Sequence, residues 1–165
     1  MTKQVKLLYI SNLPSHIGGQ NRVSLFTIRE LLKIGYEVHC AGGGVQVLDD
    51  GESQICPCYN FNEFEHEKLY PIIDQITPNV MVFSHDCWKY GCIPSIKQKY
   101  PQIPVVGWFT IDAHPIHFSW FQILRATDHV CVSTEFGKKT VYQRWQERGI
   151  EVVKYGVDHS LYNLN

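Results

Sequence analysis

This 165-residue sequence has neither an excess of charge of one sign nor a long apolar run. Lysine and arginine number 15 against 16 aspartate and glutamate, which gives a formal net charge of −1. That balance provides no general attraction for a polyanion, so we expect no nucleic-acid partner. The apolar run that ends at Ile10 is too short for a signal-peptide core or a membrane-spanning helix. We therefore expect a cytoplasmic protein.

The sequence also lacks the cysteine pattern of a disulfide framework or a zinc site. Cys56 and Cys58 are separated by a single residue, which is tighter than the usual zinc spacing. Pro115 lies between His114 and His117 and prevents a helix from aligning their rings. The other four cysteines lie in or beside apolar runs, where a reduced cysteine packs as a small hydrophobic residue: Cys40, Cys87, Cys92 and Cys131. We expect reduced thiols and no metal site.

Alternating apolar and amphipathic segments predict a single α/β domain. Apolar segments predict strands at 5–10, 36–41, near 55, 80–84, 105–109, 129–133 and 150–155. Helical spacing predicts helices at 21–34, 64–76, 93–100, 116–125 and 135–148, with Pro71 kinking or dividing the second. Such alternation implies right-handed crossovers and a doubly wound, Rossmann-like parallel sheet. A flavodoxin-like protein that binds flavin is a rival arrangement.

The residues that follow the predicted strands are candidates for a binding site. In doubly wound sheets, ligands bind beyond the carboxyl ends of the strands. The candidates follow strands one, four, five and six: Asn12, Gly18, Gly19 and Gln20; His85 and Asp86; Thr110, Asp112 and His114; Ser133 and Glu135. We expect all of them to converge on one edge of the sheet.

Two adjacent glycines, Gly18 and Gly19, precede the first predicted helix. Glycine lets the backbone approach a ligand closely, and the N–H groups of a helix N-terminus attract phosphate. The segment has neither the third glycine of a G-x-G-x-x-G fingerprint nor the G-K-[ST] of a P-loop. A phosphate-binding loop and an ordinary turn both fit this spacing.

The other candidates each allow a chemical and a structural role. His85 with Asp86 fits a base with its carboxylate, or hydrogen bonds between loops. Asp112 fits a partner for a substrate hydroxyl, or a local cap of a turn. Ser133 or Thr134 fits the N-cap of the helix predicted from residue 135, with or without a ligand contact.

Aromatic residues concentrate around the fifth predicted strand and the helix after it: Trp108, Phe109, Phe118, Trp120 and Phe121. We expect these side chains to pack in the core. The alternative is a platform for a sugar ring or a lipid chain.

Taken in order, several segments resemble the N-terminal domain of GT-B-fold glycosyltransferases, in the large retaining family known as group 1 or family four. The resemblance covers nearly the whole chain. It is carried by Gly18-Gly19 before a helix, Thr77-Pro-Asn-Val-Met-Val-Phe-Ser-His-Asp86, Ala126-Thr-Asp-His-Val-Cys-Val-Ser-Thr-Glu-Phe-Gly-Lys138 and the closing Tyr155-Gly-Val-Asp158. The last two segments are the most specific.

The resemblance implies transfer of a sugar, with retention, from a UDP- or GDP-sugar to an acceptor held mainly by this domain. It implies catalytic roles for His85, Asp86 and Asp112. The implied loop for donor phosphate and acceptor is Asn12, Gly18, Gly19 and Gln20, and the implied acceptor-lining residues are Thr110, His114, Ser133 and Glu135. The resemblance implies neither a metal nor a tightly bound cofactor. It is compatible with a homo-oligomer and with peripheral contact with a membrane.

The sequence departs from the family pattern in two places. Many relatives have a histidine just after the fifth strand, where this sequence has Thr110. The nucleotide-sugar-binding C-terminal domain of the family would begin after residue 165, so residues 1–165 correspond to one half of the GT-B fold. We expect the other half, the nucleotide-sugar-binding domain, in a longer chain or in a separate subunit. The rival function is a noncatalytic module that binds a small molecule or a protein.

Overall fold

The computed structural model describes residues 4–12, 18–43, 55–61, 66–146 and 149–156. Within them, seven parallel strands form one sheet with the order β3-β2-β1-β4-β5-β6-β7. The strands are β1 (Lys6–Ile10), β2 (Glu37–Gly42), β3 (Cys58–Asn60), β4 (Val80–Asp86), β5 (Val105–Thr110), β6 (His129–Val132) and β7 (Ile150–Val152). This is the strand order of a Rossmann fold, and a flavodoxin-like sheet would follow a different order.

Five α-helices flank the sheet in the described residues: α1 (Gly19–Lys33), α2 (Leu69–Ile76), α3 (Ile93–Lys99), α4 (Phe118–Ala126) and α5 (Glu135–Tyr142). Two short 3₁₀ helices, His66–Lys68 and Cys87–Tyr90, precede α2 and α3. The protein is therefore a single α/β domain of Rossmann-like fold, as the sequence predicted. Each of these helices is too short or too polar to span a membrane.

The two faces of the sheet bury different clusters. Leu7 and Tyr9 of β1 pack with Ile28 of α1 on one face. Leu8 and Ile10 point to the other face, where the larger cluster contains buried side chains of α2, α3, α4 and α5. Because successive side chains of a strand alternate between faces, a nearly continuous apolar strand indicates a sheet covered on both sides.

Helix α1 ends at a glycine turn that the sequence signalled. Gly35 has φ +97°, a conformation that favours glycine. The N–H of Tyr36 donates to the Leu31 carbonyl at 3.1 Å, and the N–H of Gly35 donates to the Leu32 carbonyl at 3.0 Å. This pair of hydrogen bonds is a Schellman motif, which satisfies carbonyls left open at the helix end.

The prediction placed the third strand and the ends of two helices wrongly. The third strand is Cys58–Asn60 and not near residue 55, because its hydrogen bonds to β2 begin at the Pro57 carbonyl, which accepts from Cys40. Helix α1 begins at Gly19, two residues before the predicted start at residue 21. Helix α5 ends at Tyr142, because the chain then tightens into a turn in which the Arg144 N–H donates to the carbonyl three residues back. Residues 147–148 of the predicted helix lie outside the described residues.

Pro71 neither kinks nor interrupts α2. It lies in the first turn of a helix that begins at Leu69, where the missing N–H of proline has no helical partner to lose. The predicted helix is nevertheless divided, since a 3₁₀ helix precedes α2. Residues 64–65 of the prediction lie outside the described part of the chain.

Candidate ligand-binding site at the carboxyl edge of the sheet

Strands β1 and β4 are neighbours in the sheet, although α1, β2 and β3 lie between them in sequence. The connection after β1 leads to α1 on one face, whereas the connection after β4 leads to α3 on the other. The two connections therefore diverge from adjacent strand ends and leave a crevice between them. In an open parallel sheet such a point is the usual place for a ligand.

The N-terminus of α1 borders this crevice. Gly18 is the N-cap, with φ +87° and ψ 149°, and as a glycine it provides no side-chain cap. Among the described residues, no atom lies within 4 Å of the position that a side chain at Gly19 would take. The first-turn N–H groups and the positive end of the helix dipole can therefore serve an anion. Residues 13–17 of the preceding loop lie outside the described residues.

Three side chains from two strand ends meet beside this helix. Asn12 Nδ2, just after β1, lies 3.3 Å from His85 Nε2 near the end of β4. Lys89 Nζ lies 3.4 Å from the same His85 nitrogen. The N–H of Asp86 donates to His85 Nδ1 at 2.7 Å, and the Asp86 carboxylate lies 3.2 Å from Nδ1. Asp86 therefore fixes the ring so that Nε2 faces Asn12 and Lys89.

A small cleft of about 10 Å³ lies among the ends of β1, β2 and β3 and the 3₁₀ helix after β4; it is lined by Ile10, Ser11, Asn12, Gly42, Gly43, Phe61, Lys89 and Tyr90. Gly42 is required here, because a Cβ at this position would overlap the carbonyl oxygen of Ser11. The Tyr90 hydroxyl lies within hydrogen-bond distance of the carbonyls of Ile10 and Ser84, at 3.2 and 3.0 Å, so its single proton is shared between acceptors on β1 and β4. Lys89 and Tyr90, which follow β4 within one turn, were not predicted from the sequence.

A buried polar layer lies under the first turns of α1. The Ser24 hydroxyl donates to Ser11 Oγ at 3.0 Å. Within the described residues, the buried atoms Tyr9 Oη, Ser84 Oγ and Gln20 Nε2 have no hydrogen-bond partner. Burial raises the pKa of Tyr9 to about 12, and the nearby Ser84 hydroxyl, outside hydrogen-bond geometry, offsets only part of that effect. Unsatisfied polar atoms beneath a helix N-terminus favour a polar occupant of the crevice.

The candidates after β5 and β6 follow the next strand ends of the sheet, and Thr110 is the register partner of Asp86. Within the described residues, no hydrogen bond or ion pair links Asp112, His114 or Glu135 to His85, and all three of these candidates are exposed. Ser133 is buried, with 6% of its surface exposed, so the lining role implied for it would require access to a buried hydroxyl.

Thr110 is joined to the segment after β7. Its Oγ1 lies 2.8 Å from the Tyr155 hydroxyl, and the Trp108 and Tyr155 rings pack with centroids 5.0 Å apart. The Trp108 indole N–H donates to the Val153 carbonyl at 2.8 Å. These contacts end β7 at Val152, earlier than predicted, because the chain turns toward β5. Residues 157–158 of the closing Gly-Val-Asp motif lie outside the described residues.

Thr134 is the N-cap of α5, as one alternative proposed. Its Oγ1 accepts a hydrogen bond from the Gly137 N–H at 3.0 Å. Glu135 lies in the first turn, where a carboxylate stabilises the positive end of the helix. These contacts show that Thr134 and Glu135 stabilise the N-terminus of α5.

The aromatic cluster divides between core and surface. Phe109 and Phe121 are buried, whereas Trp108 and Trp120 are half-buried. Phe118 is 72% exposed, so the expectation that it packs in the core was wrong. It lies in the first turn of α4, where its ring is exposed to solvent.

Metal-binding groups are not assembled at this edge. In the described ranges, no three or more histidine, cysteine, aspartate or glutamate side chains are arranged to hold a metal ion. The cysteines, all six within those ranges, form no disulfide. Burial raises the pKa of the Cys87 and Cys92 thiols, the latter to about 12, which suits cysteines packed as apolar residues.

No protein-family model matches the chain, and no curated protein matches it. Solved structures with a similar fold include a UDP-GlcNAc 2-epimerase from Methanocaldococcus jannaschii, with 14% identity and a TM-score of 0.62 over 90% of this chain and 45% of that one. The TrkA-N domain of the inner membrane protein ybaL from Escherichia coli has 11% identity and a TM-score of 0.57 over 90% of this chain and all of that one. A sucrose-phosphate synthase from Thermosynechococcus elongatus has 11% identity and a TM-score of 0.57, with coverages of 93% and 89%.

These neighbours define the class of protein as a Rossmann-like α/β domain. At such identities the likeness concerns the fold alone. This chain spans less than half of the epimerase chain and all of the TrkA-N domain.

Proposed function

We propose that this domain is the acceptor-side half of a GT-B-fold, retaining glycosyltransferase that uses a UDP- or GDP-sugar. The observation that carries the proposal is the exposed N-terminus of α1 at Gly18, which has no side-chain cap and lies at the same sheet edge as the Asn12, His85 and Lys89 side chains. The fold shared with the UDP-GlcNAc 2-epimerase and the sucrose-phosphate synthase supports it. So does the order of motifs in the sequence.

The donor diphosphate would lie against the N-terminus of α1. The backbone N–H groups of Gly19 and Gln20 would hydrogen-bond its oxygens, with the helix dipole adding attraction. Lys89 would supply a positive charge from the opposite side of the crevice. Such a site would stabilise the charge that develops on a leaving diphosphate, and it would require no protein nucleophile.

The acceptor would lie farther along the same edge. His85, oriented by Asp86, would face it from β4, and Asp112 would contact its hydroxyl groups from the loop after β5. Thr110, His114, Ser133 and Glu135 would complete the lining. A nucleotide-sugar-binding domain would close the cleft, either in the same longer chain or in a separate subunit.

The test is a transfer assay with UDP- and GDP-sugars against a panel of saccharide and lipid acceptors. The full product of the gene and residues 1–165 are assayed side by side by release of UDP or GDP. We expect acceptor-dependent release by the full product and little by the domain alone. A full product that binds no nucleotide sugar and releases no nucleotide with any acceptor contradicts the proposal.

The phosphate site is tested separately by Gly19→Asp. The new side chain has space, and a carboxylate in the first turn stabilises a helix, so folding is retained. The same carboxylate would repel a diphosphate, and we expect UDP or GDP affinity to fall more than about tenfold, or ~1.4 kcal/mol. Gly149→Asp, an equally open position before β7 at the other edge, is the matched control. Equal affinities in calorimetric titrations of the two variants would exclude this site.

A second candidate function is a noncatalytic nucleotide-binding module. The observation that favours it is the full coverage of the TrkA-N domain by this chain, which shows that a domain of this extent exists as a unit elsewhere. This candidate predicts nucleotide binding that Gly19→Asp abolishes, together with no sugar transfer by the full product.

A further inference from the structure

Three cysteines gather at the β3 edge of the sheet, away from the carboxyl-edge crevice. Cys40 of β2 is the register partner of Cys58 of β3. The Sγ atoms of Cys56 and Cys58 lie 4.0 Å apart. Cys40 and Cys56 are buried in the cluster that α1 covers, and the half-buried Cys58 packs against it. Cys58 Sγ also lies 3.5 Å from the Cys56 carbonyl oxygen, to which it donates.

The Cys56-Pro57-Cys58 segment is held rigidly. Its central residue is a proline, whose ring fixes φ. The Pro57 carbonyl accepts a hydrogen bond from the Cys40 N–H at 2.9 Å, which anchors the segment to β2. Cys58 begins the β3 strand. The two sulfurs are therefore preorganised, since bringing them together requires no ordering of a flexible loop.

We infer that Cys56 and Cys58 form a binding site for a thiophilic monovalent cation, copper(I), held between their two sulfurs. Metal–thiolate bonds of about 2.3 Å allow one ion to join sulfurs up to about 4.6 Å apart, and the observed 4.0 Å lies within that reach. The pair can thus chelate an ion with little movement of the backbone.

The number of ligands selects copper(I) over zinc. Structural zinc requires four ligands in a tetrahedron, and the described residues hold no group of three or more metal-binding side chains. Copper(I) is soft and accepts few ligands, so two thiolates in an apolar setting suit it. Cys40 would stand behind the pair as the nearest further sulfur.

Access to the site is open from solvent. A shallow pocket on the surface of this edge is lined by Ile55, Cys56, Pro57, Cys58 and Tyr59. An ion could enter from this side, whereas the α1 side is closed by the packed cluster. The open side gives the ion a path of entry, and the packed side excludes water that would compete with the thiolates for the ion.

Binding exchanges protons for the ion and transfers no electron. Each thiol releases its proton to solvent and forms one sulfur–copper bond, and copper remains monovalent. The ligand form of cysteine is the thiolate, so binding of the ion displaces the thiol protons. Affinity should therefore rise with pH, because two protons leave for each ion bound.

The test is an anaerobic titration of the reduced protein with copper(I), in competition with a chromophoric copper(I) chelator. We expect one ion per chain and a loss of affinity of more than about tenfold in Cys56→Ser and in Cys58→Ser, since each removes one of two ligands and changes at outer-shell partners alone cost about 10- to 100-fold. The matched control is Cys131→Ser, a half-buried cysteine on β6, which should bind as the unmodified protein does. Circular dichroism confirms that each variant is folded.

Two further measurements test the copper(I) site even if a serine variant unfolds. X-ray absorption at the copper edge of the unmodified protein should show two sulfur neighbours, and nitrogen or oxygen neighbours instead would overturn the assignment. Zinc in tenfold excess should not displace the copper, and displacement would overturn the two-sulfur geometry. Failure of the unmodified protein to compete with the chelator, or full affinity in Cys56→Ser, would also overturn it.

Discussion

Asn12 and His85 are 73 positions apart in the sequence, yet Asn12 Nδ2 lies 3.3 Å from His85 Nε2. The pairing of β1 with β4 brings them together, since Ile10 is the register partner of Phe83 and each polar residue lies two positions farther along its strand. The contact marks the point where the two crossover directions separate. It is therefore the centre of the candidate site.

Replacing Lys89 with methionine tests the charge at this site. Lys89→Met keeps the length of the side chain and removes its charge beside His85. If Lys89 binds a donor phosphate, the loss of a charge-assisted hydrogen bond of about 1.5–3 kcal/mol should weaken UDP or GDP binding by roughly 10- to 150-fold. Calorimetric titration measures the affinity. The exposed Lys139→Met on α5 is the control, and equal affinity in both variants would remove Lys89 from the site.

Gly42→Ala should destabilise the domain by about 3 kcal/mol, as overpacking against a rigid neighbour does. A Cβ at Gly42 would overlap the Ser11 carbonyl oxygen, which is backbone and is held by the Ser11 N–H bond to the Ala41 carbonyl at 3.0 Å. Urea unfolding measures the change. The adjacent Gly43→Ala is a matched control, because its Cβ would make only an ordinary 3.6 Å contact with Phe61. Similar stabilities of the two variants would contradict the close approach of β1 and β2.

Thr134→Ala should cost about 1 kcal/mol of stability, because it leaves the Gly137 N–H at the start of α5 without its cap. Thr134→Ser keeps the hydroxyl and should retain most of that stability. Thermal unfolding of the three proteins measures the order. A serine variant as unstable as the alanine variant would show that the methyl group, and not the hydroxyl, is the stabilising part.

Tyr9→Phe should change how stability depends on alkaline pH. The pKa of Tyr9 is raised from 10.0 to about 12 in the folded protein, mainly by burial. Below pH 10 both the folded and unfolded states keep the proton, so Tyr9 causes no pH dependence there. Between pH 10 and 12 the unfolded chain loses the proton more readily, and stability falls.

The expected size of this alkaline loss is about 1.4 kcal/mol per pKa unit. Urea unfolding of both proteins at pH 8, 9, 10 and 11 isolates it as a difference, since other groups titrate equally in both. The phenylalanine variant should lose less stability above pH 10. At pH 8 it should be at least as stable as the unmodified protein, because the buried hydroxyl that it removes has no hydrogen-bond partner among the described residues. If the stabilities of the two proteins fall in parallel above pH 10, the raised pKa of a buried Tyr9 hydroxyl is contradicted.

Strands that are buried on both faces were the most predictable elements. The segments 80–84 and 105–109 were located within one or two residues, because continuous apolar runs between turn residues have few other structures available. The end of α5 was not predictable in the same way. Val141 and Trp145 keep helical spacing, but the chain leaves the helix at Tyr142 through a turn that depends on tertiary packing.

The site was only partly visible in the sequence. The glycine pair and the polar residues after the strands identified the edge, and His85 with Asn12 is part of what lies there. Lys89 was missed because a lysine within a short 3₁₀ helix has no sequence signal for a site; only the 3.4 Å distance to His85 reveals it. Cys56 and Cys58 were compared only with zinc spacing in the sequence, because the 4.0 Å distance between their sulfurs depends on the folded structure.

The sequence by itself determined the alternation of strands and helices, and with it the parallel sheet, because apolar periodicity and turn residues are local properties of the chain. The tertiary structure decided which strand ends became neighbours. The pairing of β1 with β4 placed Asn12 against His85, and the pairing of β2 with β3 placed Cys40 beside Cys58. Such contacts depend on strand order and register, which arise from packing of the whole sheet and not from any one segment.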